Sequence, residues 1–213
     1  IPHGGGGPGM GPIVCKEHLS KFLPAHSYNT PNQDENAINP VSAAPYGSSS
    51  ILLISWVYIS LLNSKGLTEA TKIAILNANY MAEKLSRYYD ILFREKDGFN
   101  AHEFIIDIRP IKKEYGISEE DVAKRLMDYG YHAPTMSWPV PGTMMIEPTE
   151  SESKRELDQF CDALISIKKE IENSVNLSES PLKNAPHTAI QIASDDWNHP
   201  YTRSEAAYPS EHQ

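Results

Sequence analysis

Between Ile51 and Leu62 only Ser55 and Ser60 are polar, a pattern that predicts a helix buried on every side, with the hydroxyls of Ser48, Ser49 and Ser50 capping its start. Gly66 interrupts the pattern. Ile73, Leu76, Asn77, Tyr80, Met81 and Leu85 then recur close to one stripe, predicting a long helix from about Thr68 to Tyr89. Ile91 to Arg94 and Glu103 to Ile108, separated by a turn around Asp97 and Gly98, predict an antiparallel strand pair ended by Pro110. Ser118 with Asp121 forms a capping-box pattern opening a helix to about Tyr129, and Gly130 stops it. Thr143 to Glu147 predicts a short strand. Thr149 with Glu152 gives a second capping-box pattern, followed by Leu157, Phe160, Cys161, Leu164, Ile167 and Ile171 at helical spacing. This order predicts an α+β layer of helices against a small mixed sheet.

The two ends read differently. Residues 1–12 hold six of the twelve glycines and three prolines, the composition of a loop, with Ile13 to Leu23 a short strand or helix and residues 24–40 a polar surface segment. From about Ser174 to Gln213 the chain is polar and aperiodic, which predicts a loosely held extension.

Charge narrows the possible partners. A formal net charge of −9 leaves no basic surplus for nucleic acid or an anionic leaflet. The apolar run from Ile51 to Leu62 is shorter than the roughly 20 residues that cross a bilayer, so no membrane partner is expected. Two cysteines, Cys15 and Cys161, form no disulfide framework or metal pattern and suit a reducing compartment. Ile1 opens the chain without an initiator methionine or a leader pattern, which predicts a cut chain.

The candidate chemistry is sparse. Gly4, Gly6 and Gly9 satisfy a dinucleotide expression, but Pro8 and Pro12 spoil the helix that should follow, and no Lys-Ser or Lys-Thr completes a phosphate loop. The glycine-rich stretch remains open between a flexible linker and a backbone surface for a planar cofactor. Tyr46, Gly47 and Ser48 to Ser50 are either a helix cap or an anion site. His102 and Glu103 lack the second histidine of a zinc motif, so no metal is expected. Arg109, at a strand end, is either a carboxylate clamp or an ordinary ion pair. His132 and the run Thr135 to Pro139 form either a site wall or a packed loop.

Six blocks, IPHGGGGPGMGPI, VSAAPYGSSSI, AILNANYMA, HEFIIDIRP, DYGYHAPTMSWPVPGT and IEPTESE, closely resemble the P-protein family of the glycine cleavage system in order and spacing. The resemblance runs from Ile1 to near Tyr208; Val14, Cys15 and Leu53 depart from the usual family pattern. It implies an α/β fold of the aspartate-aminotransferase type, fold type I of the pyridoxal-phosphate-dependent transferases. Residues 1–67 would end the large cofactor domain, residues 68–173 would form the small α+β domain, and residues 174–213 would be a tail.

The implied activity is pyridoxal-phosphate-dependent decarboxylation of glycine, with the aminomethyl group passing to the lipoyl arm of the H-protein. The cofactor lysine would lie just before Ile1, so the isolated chain is expected to be inactive. His3, Gly4, Gly5, Gly6 and Gly7 would line the cofactor cleft; Tyr46, Gly47 and Ser48 would reach its phosphate; Arg109 and His132 are substrate candidates. The implied partners are the H-protein, the N-terminal half of the P-protein as the same chain or a separate subunit, and further copies in a homodimer or heterotetramer. The implied compartment is the mitochondrial matrix in a eukaryote or the cytoplasm in a bacterium. The rival reading is a non-catalytic truncated paralogue that dimerises with or regulates the full-length enzyme.

Overall fold

The computed structural model describes residues 10–28, 32 and 34–209, and its contacts divide the chain into Ile1–Thr68 and Glu69–Gln213. The first unit carries α1 (Glu17–Ser20), a 3₁₀ turn at Ser49–Ile51, and the start of α2 (Leu52–Leu85). Gly66 does not end α2. The backbone leaves helical values at Asn63 instead, with φ 49° and ψ −171°.

The helix predicted to be buried on every side is exposed. Leu53, Trp56 and Leu61 are 65%, 66% and 77% exposed, because none of the described residues covers them. With its lead-in, the segment Ser49–Leu85 is long and apolar enough to cross a membrane by length and composition, which the run Ile51 to Leu62 alone is not. Core helices of soluble proteins pass the same test, and this one carries Lys65, Glu69, Lys72, Glu83 and Lys84.

In the second unit a four-stranded sheet has the order β1-β2-β4-β3: β1 (Asp90–Leu92), β2 (Phe104–Asp107), β3 (Thr135–Met136) and β4 (Thr143–Ile146). Every pairing is antiparallel, so the sheet is not mixed. The expected strand pair is β1 with β2, in the register Ile91 opposite Ile106, and Gly98 at φ 86° makes the turn between them. All four residues of β2 are buried, as in a central strand. The exposed two-residue strand β3 has too little pattern to be read from the sequence.

Pro110 does not simply end the strand. It stands in the first turn of α3 (Arg109–Tyr115), where its missing N–H costs nothing. The Ser118 capping box forms with Asp121 and opens α4 (Glu119–Asp128). The second expected box does not form. Thr149 instead takes φ 59°, and α5 (Lys154–Asn173) is capped by Ser153, whose hydroxyl accepts the Glu156 N–H.

Ala78, Met81 and Leu85 of α2, Val122 and Leu126 of α4, and Leu157, Cys161, Leu164, Ile167 and Ile171 of α5 share one core with Phe104, Ile106 and Met144. Full burial of one such aliphatic side chain stabilises by about 1.5–3 kcal/mol. Polar ties add register. Asn77 Nδ2 donates to the Thr149 carbonyl at 2.9 Å, Asn79 exchanges hydrogen bonds with the Asn100 backbone, and the buried Tyr89 hydroxyl donates to the Leu164 carbonyl at 2.7 Å.

The described part of the tail is not a loose extension. It forms α6 (Pro181–Asn184), α7 (Ala189–Ala193) and α8 (Arg203–Ala207), with Leu182 and Ala206 buried. It is held through charge rather than apolar period. Arg125, itself buried, donates to Glu170 at 2.9 Å, to Asp128 at 3.0 Å and to the carbonyls of Glu205 and Ala206. Asp128 also accepts from the His187 backbone N–H at 2.7 Å, and His187 contacts Tyr201 Oη at 2.8 Å.

Candidate functional site

Arg109 begins where β2 becomes α3, and Asp107, two residues earlier, fixes it. The Arg109 backbone N–H and Nε both reach Asp107 Oδ1, at 2.9 and 2.8 Å, while Nη2 reaches Oδ2 at 2.6 Å. These hydrogen bonds hold the Asp107 carboxyl below its ordinary pKa, although its burial acts the other way. The carboxylate is nearly buried and the guanidinium half exposed. Nε and one Nη2 hydrogen thus point inward. Among the described residues no acceptor meets Nη1, so the Nη1–Nη2 edge is left facing outward, the geometry with which arginine takes a second carboxylate bidentately.

The loop between β3 and β4 packs on the stem of that arginine. Gly142 has φ 82°, and a Cβ there would stand 2.6 Å from Arg109 Cγ, inside any permitted contact. Its carbonyl accepts the Ile108 N–H at 3.0 Å, and its own N–H donates to Ser137 Oγ at 3.3 Å. Ser137, at φ 54°, occupies a left-handed conformation that costs a non-glycine residue about 1–2 kcal/mol. It is held there by its N–H on the Thr143 carbonyl at 2.8 Å and by its hydroxyl, which donates to Glu119 Oε1 at 2.8 Å. Burial raises the Glu119 pKa, but its backbone N–H, Ser137 and Lys112, 3.6 Å away, bring it below the ordinary value. Sequence reasoning had Ser137 only within a run read as either a site wall or a packed loop, and missed Glu119 and Gly142; the Pro-Gly pair ending SWPVPG is the signal that a tight backbone approach occurs there.

His132 is not part of this network; its Nδ1 lies 2.9 Å from the Ala133 carbonyl and its ring is exposed. In the first unit, Gly47 at φ 72° turns the chain into the 3₁₀ segment, and Tyr46 and Ser48 are exposed. Ser48 makes no side-chain cap bond, contrary to the capping expectation, so its hydroxyl stands beside the start of a helical segment without an acceptor or donor among the described residues. The predicted cofactor residues His3, Gly4, Gly5, Gly6 and Gly7 lie outside the described residues. Of the two cysteines, Cys15 is exposed and Cys161 buried.

Comparison with known proteins follows the same chain. A family model described as glycine dehydrogenase, C-terminal domain, matches residues 70–187. Over 99% of its length the chain is 60% identical to the glycine dehydrogenase (decarboxylating) of Pelagibacter ubique and 58% identical to that of Synechocystis. Over 98% it is 58% identical to the mitochondrial glycine dehydrogenase (decarboxylating) of Mus musculus. The chain spans only 23%, 22% and 21% of the lengths of these three relatives. A crystal structure of glycine decarboxylase (P-protein) of the glycine cleavage system, in inhibitor-bound form, aligns with 63% of the chain at a TM-score of 0.47 and 19% identity.

Proposed function

From the premise that the chain belongs to the glycine dehydrogenase family through its C-terminal domain, we propose that it serves as the C-terminal part of a glycine decarboxylase. The observation that carries this is identity of 57–60% along nearly the whole chain to proteins of that name. The reaction is the release of CO2 from glycine with transfer of the remaining aminomethyl group to the lipoyl arm of the H-protein. Pyridoxal phosphate, when bound, supplies the electron sink that decarboxylation of an amino acid requires.

This chain's residues fit two parts of that task. The Ser48 hydroxyl, without a partner among the described residues and beside Gly47 in its left-handed turn at the start of a helical segment, has the donor character that holds a phosphate. The outward edge of Arg109 holds and orients a glycine carboxylate, with Asp107 keeping the guanidinium from rotating. The family resemblance puts the cofactor lysine just before Ile1, so the expected outcome is that the isolated chain is inactive.

The test uses the complete polypeptide that contains this chain. Glycine-dependent CO2 release and glycine–bicarbonate exchange are expected from it and not from the 213-residue piece; activity in neither would overturn the reading. Ser48→Ala in the complete enzyme is expected to lower cofactor occupancy, read from visible absorbance after gel filtration. Unchanged occupancy would remove Ser48 from the phosphate site.

A further inference from the structure

We propose that Glu119, Ser137 and Gly142 are positioning residues that aim Arg109 at the carboxylate of the substrate. The inference rests on the reading of Arg109 as the carboxylate-binding group and adds what sets its direction.

Arginine has a long stem, and a single carboxylate partner fixes only one edge of its guanidinium. Asp107 supplies that partner, two residues away on the same strand end. The stem needs a second constraint, and Gly142 supplies it by lying so close to Cγ that no side chain fits between them. The position of Gly142 is in turn set from two directions. The Ile108 N–H holds its carbonyl, and Ser137 Oγ accepts its N–H. Ser137 Oγ can face Gly142 only while its own hydrogen is directed elsewhere, and Glu119 Oε1 receives that hydrogen at 2.8 Å. Glu119 stands in the first turn of α4, behind the Ser118 capping box, so a rigid helix end anchors the series. The path runs from α4 through the loop between β3 and β4 to the start of α3, where Arg109 turns its free edge outward to a substrate. A carboxylate ligand misdirected by a fraction of an ångström loses one of its two hydrogen bonds, so the effect appears in glycine binding before it appears in turnover.

The experiment measures KM for glycine and kcat in glycine–bicarbonate exchange for the complete, cofactor-loaded enzyme. Arg109→Ala is expected to raise KM about 10–100-fold. Gly142→Ala, Ser137→Ala and Glu119→Ala are expected to raise KM about three- to tenfold with kcat within about twofold. Glu119→Gln keeps an oxygen acceptor for Ser137 and is expected to restore most of the affinity. In an Arg109→Ala background, Ser137→Ala should change KM no further, since both act on one group. If Gly142→Ala does not fold, Ser137→Ala, which adds no atoms, carries the comparison. Unchanged KM in Arg109→Ala would defeat the carboxylate reading itself. A raised KM in Arg109→Ala beside unchanged KM in the other three, or a Ser137→Ala effect that persists without Arg109, would leave that reading standing and overturn the positioning role.

Discussion

Replacing Arg125 with Ala tests whether charge is what fastens the C-terminal segment. All five guanidinium N–H groups have acceptors: Nε and Nη2 on Glu170 at 2.9 and 3.2 Å, Nη1 on Asp128 and the Ala206 carbonyl at 3.0 and 3.3 Å, and Nη2 again on the Glu205 carbonyl at 3.1 Å. The side chains of Arg125 and Asp128 are each 2% exposed, so water does not replace what is removed. Removing one member of a buried ion pair costs about 3–5 kcal/mol, because the remaining charge is left without its partner. At about 2–4 °C per kcal/mol for a unit of this size, the melting temperature should fall by about 6–20 °C. Urea denaturation followed by tryptophan fluorescence measures the loss, and limited proteolysis reports whether residues 187–206 become accessible first. A loss below about 1 kcal/mol with unaltered proteolysis would refute the assignment, and would mean that Leu182 and Ala206 hold the segment by apolar burial.

Three other outcomes follow from groups already described. Asp107, Asp121 and Glu119 have folded pKa values below the ordinary carboxylate range: Asp107 chiefly through the Arg109 hydrogen bond, Asp121 and Glu119 because hydrogen bonds outweigh a burial effect that acts to raise them. The stability they contribute is complete above their unfolded values of about 4 and is lost as pH falls through the folded values, so the urea midpoint should drop below about pH 4 and Asp121→Asn should flatten that drop. Burial pushes the Cys161 thiol up to about 12, so iodoacetamide at pH 8 should leave it unmodified until the protein unfolds, as peptide mass mapping would show. Leu164→Ala should cost about 2–5 kcal/mol in urea denaturation, since Leu164 is fully buried within the shared core.

The sequence made the local devices visible. The Ser118 box, the Asp97-Gly98 turn and the repeat of apolar residues in α5 each depend on neighbours within a few positions, and all three form. Other features depend on what meets what in space. Pro110 ends a strand or opens a helix by the same fixed φ, and only packing chose the second role. The tail helices have four or five residues, too few to show a period, and their attachment through Arg125, Asp128 and His187 joins positions as far apart as 81 residues. The apolar character of Leu52 to Leu62 was plain, but composition states what a helix seeks to bury and not what covers it. In the candidate site, Arg109 stood out at its strand end, whereas the Glu119–Ser137 contact joins residues 18 positions apart and carries no local signature.

The closure of α4 by residues made as many as 81 positions later has a consequence for biosynthesis. A ribosome adding about 5–20 residues per second makes Arg125 some 4–16 s before the Ala206 carbonyl that accepts from it, given their separation of 81 residues. During that interval the nascent unit can assemble its sheet and α5, but Arg125 and Asp128 lack their full set of ligands and must stay hydrated. Completion of this seam is therefore tied to the emergence of α8, and a chain stalled before α8 would present a half-solvated charged seam to the quality-control machinery of the cell.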